Sequence, residues 1–253
     1  MMRMGKHGVI RRALTREIGG LPIWALLVTT CVIGIALGVA SSAERAEPAP
    51  FVAPSAQTAP ALPKPMPLVV FLGDSYTQGV GGEGVTWPDL VGAKRGWDVA
   101  NLGRGGTGYL TTSGTDGCGR RYCGTYAETS KEIVGSPRAI IISGGRNDIG
   151  KGTAKIVEGL DLLLHDLKNR YPDAVIMVLT PWRDDDPPPP QFDELAPAFK
   201  KVTEEHGVTL IDAGQPLADR SDLMSEDSVH PNANGYRALA SAVEKAIAKI
   251  ALP

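Results

Sequence analysis

Cysteine is scarce in this chain, with three among 253 residues, and one of them, Cys31, lies in an apolar run near the N-terminus. The other two, Cys118 and Cys123, enclose only Gly-Arg-Arg-Tyr. Two thiols without nearby His or Cys partners do not close a zinc shell, so no metal is expected. An excess of positive charge is missing as well, the formal net charge being −2. The first 20 residues carry Arg3, Lys6, Arg11, Arg12 and Arg16 against Glu17, a balance of +4 that leaves about −6 for the rest. That distribution gives no reason to expect a nucleic-acid partner. Aromatic residues make up only 6%, yet 43% of the chain is hydrophobic, enough for one well-packed domain with extensions.

Charge is absent altogether from residues 21–40, a stretch that as a helix measures ~30 Å, the thickness of a bilayer's hydrocarbon core. Its basic flank precedes it and Glu44 and Glu47 follow, which keeps the N-terminus cytoplasmic and exports the remainder. Residues 21–43 therefore read as a signal-anchor, or as a signal peptide cut after Ser41-Ser42-Ala43; the length of the apolar stretch favours the anchor. Residues 44–67 hold seven prolines among Ala, Ser, Gln and Thr, a semi-rigid linker with too little apolar surface to fold. The expected location is outside the cytoplasm, membrane-anchored, or secreted if the signal is cleaved. There Cys118 and Cys123 are free to oxidise to a disulfide, worth ~2 kcal/mol on the chain-entropy model.

From residue 68 onward short apolar runs alternate with helical patterns. Strands are expected at 68–72, 97–101, 139–143, 174–180 and 208–212, and helices at 86–95, 125–135, 154–170, 191–206 and 232–250. Several of the apolar runs are continuous rather than alternating, as in strands covered on both faces. The pattern predicts a three-layer α/β/α sandwich around a five-stranded parallel sheet, with sites at the carboxyl ends of its strands. Two glycine spacings, Gly79-x-Gly81-x-x-Gly84 and Gly103-x-Gly105-x-x-Gly108, match the dinucleotide fingerprint. The first starts seven residues past its strand, and the second runs into a glycine-rich stretch rather than a helix, so no organic cofactor is expected. The Gly-x-Ser-x-Gly elbow is also absent.

Four short motifs carry chemistry. Gly73-Asp74-Ser75-Tyr76 follows the first apolar run, where a strand-to-helix turn exposes a hydroxyl and aims free N–H groups at a developing oxyanion. Asn101-Leu102-Gly103-Arg104-Gly105-Gly106 follows the second strand, and its glycines permit close backbone approach to a substrate. Gly145-Arg146-Asn147-Asp148 follows the third and offers an amide as a further donor. Asp227-Ser228-Val229-His230 precedes the final helix, with a spacing that lets one turn bring the carboxylate to the imidazole. Each alone is an ordinary turn or cap. All four on one sheet edge supply the serine, imidazole and carboxylate of hydrolysis through an acyl-serine. His7, His165 and His206 read as tail or surface residues, and Asp184-Asp185-Asp186 with the prolines at 187–190 as a solvated loop.

On these four blocks the sequence resembles the SGNH hydrolase, or GDSL esterase/lipase, family over residues 68–250. The resemblance implies a flavodoxin-like sandwich with Ser75 as nucleophile, His230 as base and Asp227 as its orienting acid. It also implies an oxyanion hole formed by the N–H groups of Ser75 and Gly106 and the Asn147 side chain. Tyr76 stands where the family's name has Leu, at a variable position.

Tyr109, Trp182 and Arg183 lie near the expected site edge and are candidates to line a pocket, although aromatics packed under a loop and a solvated arginine fit equally well. No long apolar lid is visible, which favours short acyl groups. The expected activity is hydrolysis of short-chain esters, with O-acetyl groups on glycans among the candidates. Acyl transfer to envelope glycans, a lipase or thioesterase, and a catalytically silent envelope-binding domain remain alternatives. Expected partners are an acylated small-molecule, glycan or lipid substrate and, through the N-terminal helix, a membrane; the catalytic domain is expected to be monomeric.

Overall fold

The computed structural model describes residues 65–248 and 250, together with residues 17, 18, 21, 22, 25, 27 and 28. The chain divides into two units, 1–62 and 63–253. In the first, Glu17–Ile18 pairs antiparallel with Leu21–Pro22, and Ala25, Leu27 and Val28 are helical. The expected apolar helix therefore does not begin at Leu21, in keeping with the bias of a residue before proline toward extended backbone. No helix among the described residues is long and apolar enough to cross a membrane, and most of 21–43 and of the linker at 44–67 lies outside them.

The second unit is built on five parallel strands: β1 (Leu68–Gly73), β2 (Asp98–Gly103), β3 (Ala139–Ser143), β4 (Val175–Leu179) and β5 (Thr209–Ile211), in spatial order β2-β1-β3-β4-β5. Side chains alternate across the sheet, so each continuous apolar run feeds two cores. Val69, Phe71, Ile141, Met177 and Leu179 face one side, where they meet Trp87 and Val91 of α2 (Trp87–Arg95) and Tyr236, Leu239 and Val243 of α7 (Ala233–Ile247). Val70, Leu72, Ile140, Ile142 and Val178 face the other. There α5 (Thr153–Arg170) brings Ile156, Leu160, Leu163, Leu164 and Leu167, all essentially buried, and α6 (Pro190–His206) brings Leu195, Phe199 and Val202. Each such side chain contributes about 1.5–3 kcal/mol relative to exposure. The expected sandwich is present.

Local chemistry sets the boundaries. Thr86 caps α2 by accepting from the Asp89 N–H, and Gly96 ends it in the left-handed region. Trp97, expected to open the second strand, instead donates its N–H to Gly92 O, so β2 starts at Asp98. The helix expected at 125–135 stops early: α4 (Tyr126–Thr129) passes into a 3₁₀ turn at Ser130–Glu132, where the Ser130 hydroxyl donates to Ala127 O. A four-residue helix, α3 (Thr115–Cys118), forms within the glycine-rich stretch and ends beside a disulfide joining Cys118 to Cys123.

The strand order places the site. From β1 the chain adds β2 on one side, then crosses back to add β3 on the other. A crevice opens at such a switch point, outside the carboxyl end of β1 and flanked by the segments after β2 and β3.

Candidate active site

Ser75 opens a one-turn helix, α1 (Ser75–Gln78), directly after β1. Asp74 caps it, its Oδ1 accepting the Tyr76 N–H at 2.9 Å and its carbonyl accepting from Thr77 and Gln78. The turn is tight because Gly73 has no side chain: a Cβ there would sit 2.1 Å from Thr77 Oγ1 and 2.4 Å from Ser143 O. The Ser75 N–H, at the start of this helix, has no partner among the described residues. Asp74 itself is buried, and burial pushes its carboxyl up to about 6 against the pull of the Tyr76 N–H, Arg146, the Tyr126 hydroxyl and His230.

The segment after β2 is stapled onto that helix. Asn101 Nδ2 donates to Thr77 O at 2.7 Å, and the Gly105 N–H donates to Gln78 Oε1 at 2.6 Å. Gly105 is therefore occupied. Gly106 takes φ +71° and its N–H has no partner among the described residues, which separates two glycines that the sequence leaves equivalent. Ser113 backs Gly106, since a Cβ there would lie 2.6 Å from its Oγ, and Ser113 pairs through both N–H and C=O with Cys123.

After β3, Asn147 Nδ2 donates to Thr107 O at 2.9 Å, leaving its second amide hydrogen for a ligand. Its neighbour Asp148 is fully buried and accepts from the Tyr109 N–H (2.8 Å), the Leu110 N–H (3.0 Å) and the Thr111 hydroxyl (2.6 Å). Asp148 thus ties the Asn147 turn to the segment that follows the glycines, a role its place in the motif did not announce.

The fourth segment supplies the imidazole. His230 Nδ1 lies 2.6 Å from Asp227 Oδ2, and Asp227 Oδ1 accepts from the Ser225 hydroxyl and the N–H groups of Val229 and His230, each at 2.9 Å. Partial desolvation opposes ionisation, but these donors, His230 first, hold the Asp227 carboxyl well below the usual range. Asn232 caps α7 immediately afterwards and donates to Asp222 O and Met224 O, so the histidine turn is anchored at its downstream end.

Folding brings the first and last segments together. Tyr76 OH donates to Val229 O at 2.8 Å, its ring centroid is 6.1 Å from that of His230, and Tyr236 OH donates to Val80 O at 2.7 Å and approaches Ser75 O. No hydrogen bond joins Ser75 Oγ to His230 among the described residues; such contacts are often long before substrate binds. Ser75, Gly106, Asn147, Asp227 and His230 all stand on the same edge.

The pocket candidates fare differently. Tyr109 is buried between Tyr126 and Phe199, with ring centroids 4.9 and 5.4 Å away, and Trp182 packs edge-on against Trp87 at 5.4 Å. Both are buried members of the two cores, the packed one of the two arrangements that the sequence leaves open. Arg183 does line a small cleft of about 230 Å³ with Arg146, Phe192 and prolines 187–189. Asp184, expected to be solvated, pairs with Arg146 at 2.7 Å, and that guanidinium lies 4.8 Å from the Tyr76 ring centroid. His206 is not a free surface residue either: its Nε2 is 2.6 Å from Asp161 Oδ1.

With this geometry in place, the GDSL-like lipase/acylhydrolase family model matches residues 71–238, a span holding all four segments. The chain belongs to this family. A GDSL lipase of Mycobacterium tuberculosis is 28% identical over 196 residues, covering 69% of this chain and 79% of its own. Among solved structures, the aryl esterase of M. smegmatis superposes with a TM-score of 0.56 at 18% identity, over 73% of this chain and all of its own. A family two carbohydrate esterase from Clostridium thermocellum, in complex with cellohexaose, superposes with a TM-score of 0.53 at 17% identity, over 74% of this chain and 65% of its own. These two share the fold of the present GDSL-family domain.

Proposed function

We propose that the domain is a serine esterase acting through an acyl-serine intermediate. The observation that carries this reading is an imidazole–carboxylate pair held, through Tyr76 and Val229, against the turn bearing Ser75. With Asp227 ionised and accepting the Nδ1 proton, His230 presents Nε2 as the base. Nε2 takes the Ser75 proton as Oγ attacks the ester carbonyl. The oxyanion meets the Ser75 and Gly106 N–H groups and the Asn147 amide, any one of which is typically worth about 3 kcal/mol in the transition state. His230 returns the proton to the leaving alcohol, and water, activated in the same way, releases the acid.

Short acyl groups are the favoured substrates, because the sequence carries no long apolar lid and the cleft beside Arg146 is only about 230 Å³. Export through the N-terminal segment would put the domain among envelope glycans and lipids, and the glycan part of the proposal rests on that address and on the carbohydrate esterase that shares the fold. The lipase relative from M. tuberculosis favours a second reading, longer acyl chains. A nitrophenyl ester series from acetate to palmitate separates them: turnover peaking at acetate or butyrate supports the proposal, and a peak at long chains supports the lipase. Sugar acceptors added to the same assay expose acyl transfer if acylated sugar becomes the main product. Absence of turnover on every ester, with glycan binding unchanged by Ser75→Ala, would overturn the enzymatic reading in favour of a binding module.

A further inference from the structure

Within the histidine turn the hydrogen bonds that Asp227 accepts are all local. Asp227 holds Ser225, Val229 and His230, all within three residues of itself. Ser228 adopts φ +55°, a conformation a non-glycine residue takes at some cost, and Val229 is exposed. These contacts shape the turn but do not say where it sits relative to Ser75. The hydrogen bond from Tyr76 OH to Val229 O does: it spans 153 residues and joins the residue after the nucleophile to the residue before the base. Tyr76 is itself fixed. Its N–H is held by Asp74, the residue is only 2% exposed, and the Arg146 guanidinium, anchored by Asp184, stacks on its ring.

We infer that Tyr76 is a positioning residue: its hydroxyl sets the register of the His230 turn against Ser75, so that Nε2 reaches the Oγ proton. The inference rests on the proposed hydrolytic mechanism for its catalytic consequence, though the tether is a property of the fold. It assigns a role to a position at which the family's name has Leu, whose side chain has no donor for this carbonyl.

Tyr76→Phe tests the idea with little disturbance, since it keeps the ring, the stacking of Arg146 and the local Asp227–His230 pair. The exposed turn lets water replace the lost donor, so stability should hardly move. Misplacing a base by a fraction of an ångström costs rate rather than binding, so kcat should fall roughly 5- to 20-fold with KM within about twofold. Amide exchange at Val229 and His230 should rise several-fold, while the low-field Nδ1 proton of His230 persists. Unchanged exchange at these two amides overturns the tether whatever the activity, and unchanged kcat in an active enzyme overturns its role in positioning. Were the wild type inert toward every ester, faster exchange in Tyr76→Phe would uphold the tether while the hydrolytic reading fell.

Discussion

Two carboxylate–imidazole pairs occur among the described residues, Asp227–His230 and Asp161–His206, and both are 2.6 Å long. In each the imidazole is the more covered partner, with 20% and 15% of its side chain exposed. Their surroundings differ. Asp161 and His206 link α5 to α6, and no nucleophile-bearing turn contacts either. Asp227 accepts three further hydrogen bonds, its partner sits in a turn tethered to the segment of Ser75, and Gly106 and Asn147 present donors from neighbouring strands. A carboxylate beside an imidazole is thus no signature by itself, since the Asp161–His206 pair only joins two helices. On the proposed mechanism such a pair serves catalysis only where the switch point of a parallel sheet gathers a hydroxyl and free N–H donors around it.

Breaking that comparison should produce graded losses. Ser75→Ala removes the proposed nucleophile and should lower kcat by at least about 10³-fold, measured on the best nitrophenyl ester, while thermal unfolding stays within a few degrees of wild type. Asp227→Asn keeps the shape of the turn but withdraws the anion that selects the imidazole tautomer, so kcat should drop on the order of 10²- to 10⁴-fold. Gly73→Ala forces a methyl against Ser143 O and Thr77 Oγ1, and chemical denaturation should register a loss of about 3 kcal/mol or failure to fold. Asp74→Asn probes the buried cap beneath the nucleophile. The Asp74 carboxyl moves from an unfolded value of 3.8 to about 6, so its contribution to stability is full below pH 3.8 and is lost as pH rises to 6 and beyond. The asparagine variant should lack that decline, a difference of up to about 3 kcal/mol between the two pH–stability curves. Asp161→Asn is the smallest: stability should change by less than about 1 kcal/mol and kcat by less than about twofold, because the Asp161 side chain is half in solvent and bonds to none of the four site segments.

The sequence disclosed those parts of the molecule whose cause is local. α5 was readable because Ile156, Leu160, Leu163 and Leu167 recur at helical spacing, and β1 and β3 because their apolar runs are buried on both faces. Asp227 and His230 were readable for the same reason, since three residues suffice to make their contact. What escaped was long-range. The Gln78 side chain decides which glycine keeps a free N–H from 27 residues away, Asp148 pins a segment 39 residues upstream, and Arg146 finds Asp184 across 38. Asp161–His206 escaped likewise, because only the packing of α5 on α6 brings its halves together. Tyr109 and Trp182 stay between two readings in the sequence because an aromatic after a strand looks the same whether its ring turns to solvent or to the core. At the early end of α4 the Ser130 hydroxyl competes for Ala127 O, a local bond that helical spacing does not announce.

The central claim is that His230, held by Asp227, makes the Ser75 hydroxyl a nucleophile. Mass spectrometry after incubation with a nitrophenyl phosphonate tests it without knowledge of the natural ester. The account predicts one adduct on the peptide carrying Ser75, formed at least about 10²-fold more slowly in His230→Ala. An adduct on another residue, or an equal labelling rate in that variant, would contradict it.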